Sequence, residues 1–239
     1  MADGPRATAP DFSPLTRLGL NMHAILPLAS LERCWLDRLA AQIDLSPWRR
    51  IVVLANGGPL LWRTMAARGI AGDDPVDRFS VTAVVDWFAS HGGDLRWRTL
   101  YPGEVGVDLQ ALGRAVGWHQ PSPLMLGMHP RWGSWFGYRV VMLTDADWPG
   151  DAPTAPAAIC ARCEAKPCVD ACPAGAVGVT LDIERCIGHR LLPESACAAD
   201  CAARLACPAG AEHRYDEAQR RHCYTESLRA IRRWRGGQG

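Results

Sequence analysis

The residues best suited to chemistry are cysteines, and they gather toward one end of the chain. Of the ten, Cys34 stands alone and the other nine fall from Cys160 onward. The first run reads Cys160-x2-Cys163-x4-Cys168-x3-Cys172-Pro173, and a looser one follows with Cys186, then Cys197-x3-Cys201-x5-Cys207-Pro208. The string Cys-Pro-Ala-Gly-Ala occurs twice, at 172–176 and at 207–211. A disulfide scaffold staples distant parts of a fold, whereas short spacers within one segment bring several thiolates onto a metal centre. Such thiolates can wrap the corners of iron–sulfur clusters or close four at a time around zinc. Zinc requires neither a proline after the cysteine nor its repetition, so iron–sulfur chemistry is expected.

The first run resembles the bacterial ferredoxin pattern C-x2-C-x2-C-x3-C-P, with a longer spacer between its second and third cysteines. In that arrangement the cysteine before the proline reaches across to the second of two clusters. The resemblance therefore implies one four-iron cluster on Cys160, Cys163, Cys168 and Cys207, and another on Cys172, Cys186, Cys197 and Cys201. Cys34 and Cys223 are left over. The irregular spacing of the second run keeps another reading open, in which the second cluster is absent or recruits Cys223 or His222.

A second candidate is the segment His129-Pro-Arg-Trp-Gly-Ser-Trp-Phe-Gly137. Glycines allow close backbone approach to a ligand, aromatic rings give flat stacking faces, and Arg131 can fork onto a carboxylate or phosphate. A hairpin loop plugged by tryptophan is the plainer reading. The segment resembles the CblC-type cobalamin-processing proteins, as does Asp74-Pro75-Val76-Asp77. The order of Leu112-Gly113-Arg114-Ala115-Val116-Gly117-Trp118, then Gly133-Ser134-Trp135-Phe136, then the cysteine runs is similar to epoxyqueuosine reductase and, more distantly, to the reductive dehalogenases.

These resemblances imply a nitroreductase-like domain holding base-off cobalamin, with Trp118, Arg131, Trp132, Gly133, Ser134 and Trp135 near the cofactor. Counted back from Gly117, the place of the acidic proton donor of epoxyqueuosine reductase is taken by Tyr101. The nearby carboxylates, Glu104 and Asp108, are out of register. Tyr101 is accordingly the candidate catalytic proton donor, as a tyrosine is in the dehalogenases, although a strand-end tyrosine is more often simply packed. His119 and His129 are expected to cap structure rather than to ligate cobalt. The helical-repeat extension that serves transfer RNA in epoxyqueuosine reductase is not expected, and nucleic acid is not an expected partner.

Elements must position these residues, and the hydrophobic pattern supplies them. Leu31–Gln42 shows helical spacing, Ile51–Ala55 reads as a buried strand ending in Asn-Gly-Gly-Pro, and Leu60–Arg68 and Pro75–Ser90 read as helices. Asp73 or Asp74 is available to cap the second of these. Strands are expected at 95–101, 124–128 and 138–144, a helix at 108–116, and a basic amphipathic helix from about Asp216 to Trp234. The irregular order of strands and helices predicts an α+β fold rather than a doubly wound sheet. The proline-rich stretch 145–158 reads as a linker, giving an α+β cobalamin-binding domain over 1–150 and a ferredoxin-like domain with its basic helix over 151–239.

Composition narrows the setting. The net charge of +1 gives no bias toward polyanions. Twenty-five of the 26 basic residues are arginine, spread along the whole chain, which favours a genomic bias over a binding device. No run is long and apolar enough to span a membrane, and the first ten residues lack the apolar core of a signal peptide. A cytoplasmic protein with reduced thiols is expected. The expected function is an iron–sulfur, cobalamin-binding reductase passing electrons from two [4Fe-4S] clusters to cobalt, mainly for cobalamin processing by reductive removal of its upper ligand. Its electrons would come from a low-potential donor such as a flavodoxin, a ferredoxin or a reductase. Alternatives are a cobalamin-dependent reductase of a small organic or nucleoside substrate, and a non-enzymatic ferredoxin-type electron carrier or cobalamin-delivery module. A flavin in place of cobalamin also suits a nitroreductase-like scaffold.

Overall fold

The computed structural model describes residues 8–152 and 158–237. The chain divides into two compact units: Met1–His119 with Phe136–Ala155, and Gln120–Trp135 with Pro156–Gly239. The segment 120–135 thus groups with the cysteine-bearing part of the chain.

The first unit combines helices with a four-stranded sheet. Its elements are α1 (Ser13–Arg17), β1 (Met22–Pro27), α2 (Arg33–Ala40), β2 (Arg50–Gly57), α3 (Leu60–Ala67), α4 (Pro75–His91), β3 (Trp97–Tyr101), α5 (Leu109–Ala115) and β4 (Phe136–Thr144). The strand order is β1-β2-β4-β3, and every neighbouring pair is antiparallel. β2 lies inside the sheet, and Ile51–Ala55 has no exposed surface. Alternate residues of the two inner strands, Val52, Leu54, Val140 and Met142, pack with Leu61 and Met65 of α3 and with Val84, Trp87 and Phe88 of α4. Each such side chain contributes about 1.5–3 kcal/mol of burial, so this layer anchors the unit.

Two irregularities in the sheet matter for the site. Leu54 pairs with Val140 but Ala55 with Tyr138, so Arg139 is an extra residue in β4. Thr99 pairs with Met142 but Tyr101 with Val141, which makes Leu100 extra in β3. Such bulges bend a strand and re-aim the side chains beside them.

Several expectations change. β1 was not anticipated: its short apolar run carries His23 and ends at Pro27, which gives a weak strand signal, and it forms an edge of the sheet. No strand forms over 124–128. Pro121 and Pro123 lack N–H donors and Met125 adopts φ +55, leaving only a bridge between Gln120 and Met128. The segment 129–137 therefore does not join two strands, but it still closes a tight turn, with His129 and Gly133 in an antiparallel bridge. Asp74 occupies the N-cap position of α4 in a left-handed conformation without a side-chain cap, whereas Asp108 caps α5 by accepting from Ala111 N at 2.9 Å. The linker also begins later than 145. Ala146 and Trp148 belong to the core, and Asp151 accepts from Ile25 N at 2.7 Å. Residues 153–157 of that linker, and most of the leader before Pro10, lie outside the described residues.

The second unit is built from turns and helices: α6 (Pro167–Asp170), α7 (Ile183–Leu191), α8 (Ala202–Ala206) and α9 (Glu217–Gly236). Asp182 caps α7 through Arg185 N at 2.9 Å. The hairpin-like turn 177–181 closes on a single bridge between Val177 and Leu181. α9 buries Gln219 and Leu228, and Arg220 anchors it to Asp200 at 2.9 Å.

Candidate metal and polar sites

The short elements of the second unit place eight cysteines in two groups. Cys160 and Cys163 lie on turns before α6, Cys168 lies within α6, and Cys207 follows α8. These four line one cavity of about 350 Å³ together with Arg162, Lys166 and Pro208. Burial raises the Cys160 thiol above the usual range, and the charges of Cys207, Cys168 and Cys163 raise it further. Cys168 is raised by burial and then by Cys207, with Cys163 adding to the effect.

The other four meet separately. Cys172 follows α6, Cys186 lies in α7, Cys197 lies in a 3-10 turn capped by Ser195, and Cys201 occupies the N-cap of α8. Burial raises Cys186, and Cys201 and Cys172 push the same way. Cys197 is raised by burial and then by Cys201, Cys172 and Cys186. Cysteines far apart in sequence are thus electrostatic neighbours, in the two quartets expected from the two-cluster pattern.

None of the ten cysteines is joined in a disulfide among the described residues. Among the described residues, no three His, Cys, Asp or Glu side chains converge as they do around a single ion. A lone zinc draws thiolates to about 2.3 Å from one point, whereas a cubane binds one thiolate at each iron and needs them around a larger body. The cavity of the first quartet fits the larger group. Within the second quartet Cys201 lies near the Tyr224 hydroxyl, and Arg204 acts electrostatically on the same phenol.

The loop from His129 to Trp135 folds back on itself. His129 Nδ1 accepts from Arg131 N at 3.0 Å and from Trp132 N at 3.2 Å. Burial, and secondarily Arg131, lower the His129 pKa to about 4. Gly133 has φ +56, and a Cβ there would stand 2.0 Å from the Ala209 carbonyl oxygen. A Cβ on Gly210 would meet the Trp132 backbone at 2.5 Å. The two glycines therefore let the loop and the second Cys-Pro-Ala-Gly-Ala turn touch backbone to backbone.

Ser134 accepts from buried Arg204 at its carbonyl, 2.6 Å, and at its hydroxyl, 3.2 Å. The same guanidinium lies 4.2 Å from the Trp135 ring centroid and 5.3 Å from that of Tyr215. Arg131 is exposed and stacks on Trp132, whose other neighbour is the His213 ring at 4.4 Å. The loop residues thus come together, with Gly133, Ser134 and Trp135 enclosed and Arg131 at the surface.

The remaining candidates lie in the first unit. Trp118 stacks with Tyr138 at 6.4 Å, and the Tyr138 hydroxyl occupies the space a side chain at Gly113 would fill. His119 is lowered by burial and then by Arg114. Tyr101 belongs to a half-buried polar group that the sequence did not disclose. Arg139, the extra residue of β4, donates to buried Asn56 Oδ1 at 2.6 Å and faces Asp77 at 3.9 Å. Burial raises Asp77 above the usual carboxylate range; Arg139 opposes the shift and Asp74 adds to it. Burial also raises Tyr101, followed by the charge of Asp77, with Arg139 opposing. A phenol, a carboxylate that holds its proton more tightly than usual, and a guanidinium are thereby assembled from β3, the first turn of α4 and β4. The Asp-Pro-Val-Asp string was the available signal for Asp77; nothing in the sequence singled out Arg139.

Comparison with protein-family models gives no match, and comparison with curated proteins gives none either. Solved structures do match. An epoxyqueuosine reductase bound to a tRNA-Tyr stem loop aligns over 86% of this chain and 66% of its own, at 17% identity and a TM-score of 0.52. The epoxyqueuosine reductase of Bacillus subtilis aligns over 84% and 64%, at 17% identity and a TM-score of 0.51. A catabolic reductive dehalogenase in complex with 3-bromo-4-hydroxybenzoic acid aligns over 94% and 37%, at 16% identity and a TM-score of 0.52. The chain spans just under two thirds of the first reductase and little more than a third of the dehalogenase. At these identities the likeness concerns the backbone: the chain has the fold seen in epoxyqueuosine reductases and a reductive dehalogenase.

Proposed function

We propose that this protein is an iron–sulfur, cobalamin-linked reductase of a small organic or nucleoside substrate. The observation that carries the reading is the union of two thiol quartets with a fold shared by epoxyqueuosine reductase and a dehalogenase. One structure with this fold is described as suggesting a mechanism for B12-dependent dehalogenation. Substrate reduction is favoured over cobalamin processing because the matched structures are of substrate-reducing enzymes.

The quartet of Cys160, Cys163, Cys168 and Cys207 would hold one [4Fe-4S] cluster, and that of Cys172, Cys186, Cys197 and Cys201 the other. The thiolates fix the clusters and set their potentials, and a low-potential donor of the flavodoxin or ferredoxin type would reduce them. Several buried polar atoms have no hydrogen-bond partner among the described residues: both amide atoms of Gln120, Nε1 of Trp135 and the hydroxyl of Tyr138. Buried polar groups are normally satisfied, and neutral donors and acceptors suit the amide-fringed rim of a corrin. Trp118 and Tyr138 of the first unit are therefore the residues offered to cobalamin, which when bound supplies a reducible, strongly nucleophilic cobalt. Arg131 and Trp132 form the exposed edge of the loop that carries Trp135.

Tyr101 would deliver the proton that accompanies two-electron reduction of the substrate. Asp77 beside it, which burial makes bind its proton more tightly than an ordinary carboxylate, would restore the phenol proton, and Arg139 faces the carboxylate. The reducing compartment that free thiols require would be the cytoplasm.

The test is anaerobic reconstitution with iron, sulfide and aquocobalamin, followed by reductant and 3-bromo-4-hydroxybenzoic acid as probe. Catalytic bromide release with the cobalamin spectrum recovered supports substrate reduction. Loss of the alkyl ligand from an alkylcobalamin supplied in place of aquocobalamin, with no probe turnover, supports cobalamin processing instead. An unaltered cobalamin spectrum under reductant leaves an electron carrier. Tyr101→Phe is expected to lower probe turnover by about 10²-fold or more, the scale of a positioned proton donor, while cobalamin binding is kept.

A further inference from the structure

Two arginines of the second unit are buried without a carboxylate. Arg190 is 9% exposed and Arg204 is 8% exposed. Arg190 donates to the carbonyls of Cys197, 3.1 Å, and Tyr224, 2.8 Å, and to the Ser227 hydroxyl at 3.2 Å. Arg204 has Ser134 and the rings of Trp135 and Tyr215, and acts electrostatically on Tyr224. Neither forms an ion pair among the described residues. Asp200, which adjoins Cys201, is already matched by Arg220 at 2.9 Å.

Removing a cation from water costs several kcal/mol unless a counter-charge stands close by. Both guanidiniums converge on Tyr224. Arg190 lies 5.4 Å from its ring centroid and donates to its carbonyl, and Arg204 and Cys201 both act electrostatically on its hydroxyl. Arg190 also acts electrostatically on Cys186 and Cys197. The anion that these cations face is thus the second thiol quartet itself. The first quartet differs: its cavity is lined by Arg162 and Lys166, which are exposed and screened by water.

We infer that Arg190 and Arg204, coupled through Tyr224, tune the cluster of the second quartet to the higher reduction potential, making it the first to accept an electron. The inference rests on the two-cluster reading above. Reduction adds one electron to a cluster that is already anionic and moves no proton. A buried cation and a nearby hydroxyl dipole both favour that added charge, and low local dielectric strengthens them. Arg190, Arg204 and Tyr224 are positioning residues with no part in the chemical step.

The full chain, reconstituted anaerobically with iron and sulfide, is titrated with dithionite and followed by EPR. Two one-electron steps are expected. Arg190→Gln should lower the upper one by at least tenfold in the reduced-to-oxidised ratio, about 59 mV, and leave the lower one in place. Tyr224→Phe, which keeps the ring and removes the hydroxyl, should shift the same step in the same direction if the arginine variant loads poorly. Arg162→Gln should move neither step by that amount. Full iron loading with both potentials unchanged in Arg190→Gln and Tyr224→Phe overturns the inference, as does a shift confined to the lower step. An iron content of about four, with the second quartet empty, sinks the two-cluster reading as well.

Discussion

At the scale of residues, the same chemical types take different roles according to their surroundings. His129 sits in a segment that resembles a cofactor-binding loop, yet its Nδ1 lone pair is used by two backbone amides of that loop. Protonation would remove this acceptor, and burial already lowers the pKa to about 4. The unfolded chain titrates near 6.5, so between pH 6.5 and about 4 it binds more protons than the folded state. The stabilisation from His129 is complete above pH 6.5 and is lost as pH falls through that window. Denaturant unfolding measured from pH 7.5 to 4.5 should show this loss, and His129→Asn, which keeps a short acceptor without titrating there, should flatten it. An identical pH dependence in both proteins would count against the role. Arg139 offers the complementary case, since an ordinary strand arginine gains Asn56 and Asp77 as partners only through a bulge.

At the scale of elements, two glycines join the tryptophan loop to the second Cys-Pro-Ala-Gly-Ala turn. A methyl group at 133 must displace the Ala209 carbonyl and occupy a left-handed backbone conformation. Gly133→Ala should therefore cost about 1–3 kcal/mol or more. Gly188 lies inside α7, and a Cβ added there would have nothing within 4 Å. Gly188→Ala should accordingly stabilise by about 0.4–1 kcal/mol. Thermal unfolding of the two iron-loaded variants checks the contrast, and equal melting temperatures would contradict it. The loop was legible as a special segment from its glycines and aromatic rings. Its packing was not, because the backbone it touches lies far along the chain.

At the scale of the whole molecule, the cysteine pattern and the fold make separate predictions. If the quartets hold clusters as proposed, the reconstituted chain carries about eight irons. Cys163→Ala and Cys197→Ala should each bring that to about four, by emptying different quartets. Iron and sulfide analysis with EPR checks this, and retention of eight irons in either variant would remove that cysteine from the ligand set. None of the described helices is long and apolar enough to cross a membrane.

The sequence by itself determined the cysteine intervals, the repeated Cys-Pro-Ala-Gly-Ala, the buried strand at 51–55 and the long helices, because these are local patterns of spacing and period. It also carried the likeness in motif order to epoxyqueuosine reductase, whose fold the chain shares. Only the tertiary structure decided what depends on distant approach: the edge strand β1, the bulge that turns Arg139 toward Asp77, and the packing of Gly133 against Ala209. It likewise decided the burial of Arg190 and Arg204 beside the second quartet. A one-dimensional pattern records which residues can carry charge; their burial and counter-charges are set when separate elements pack.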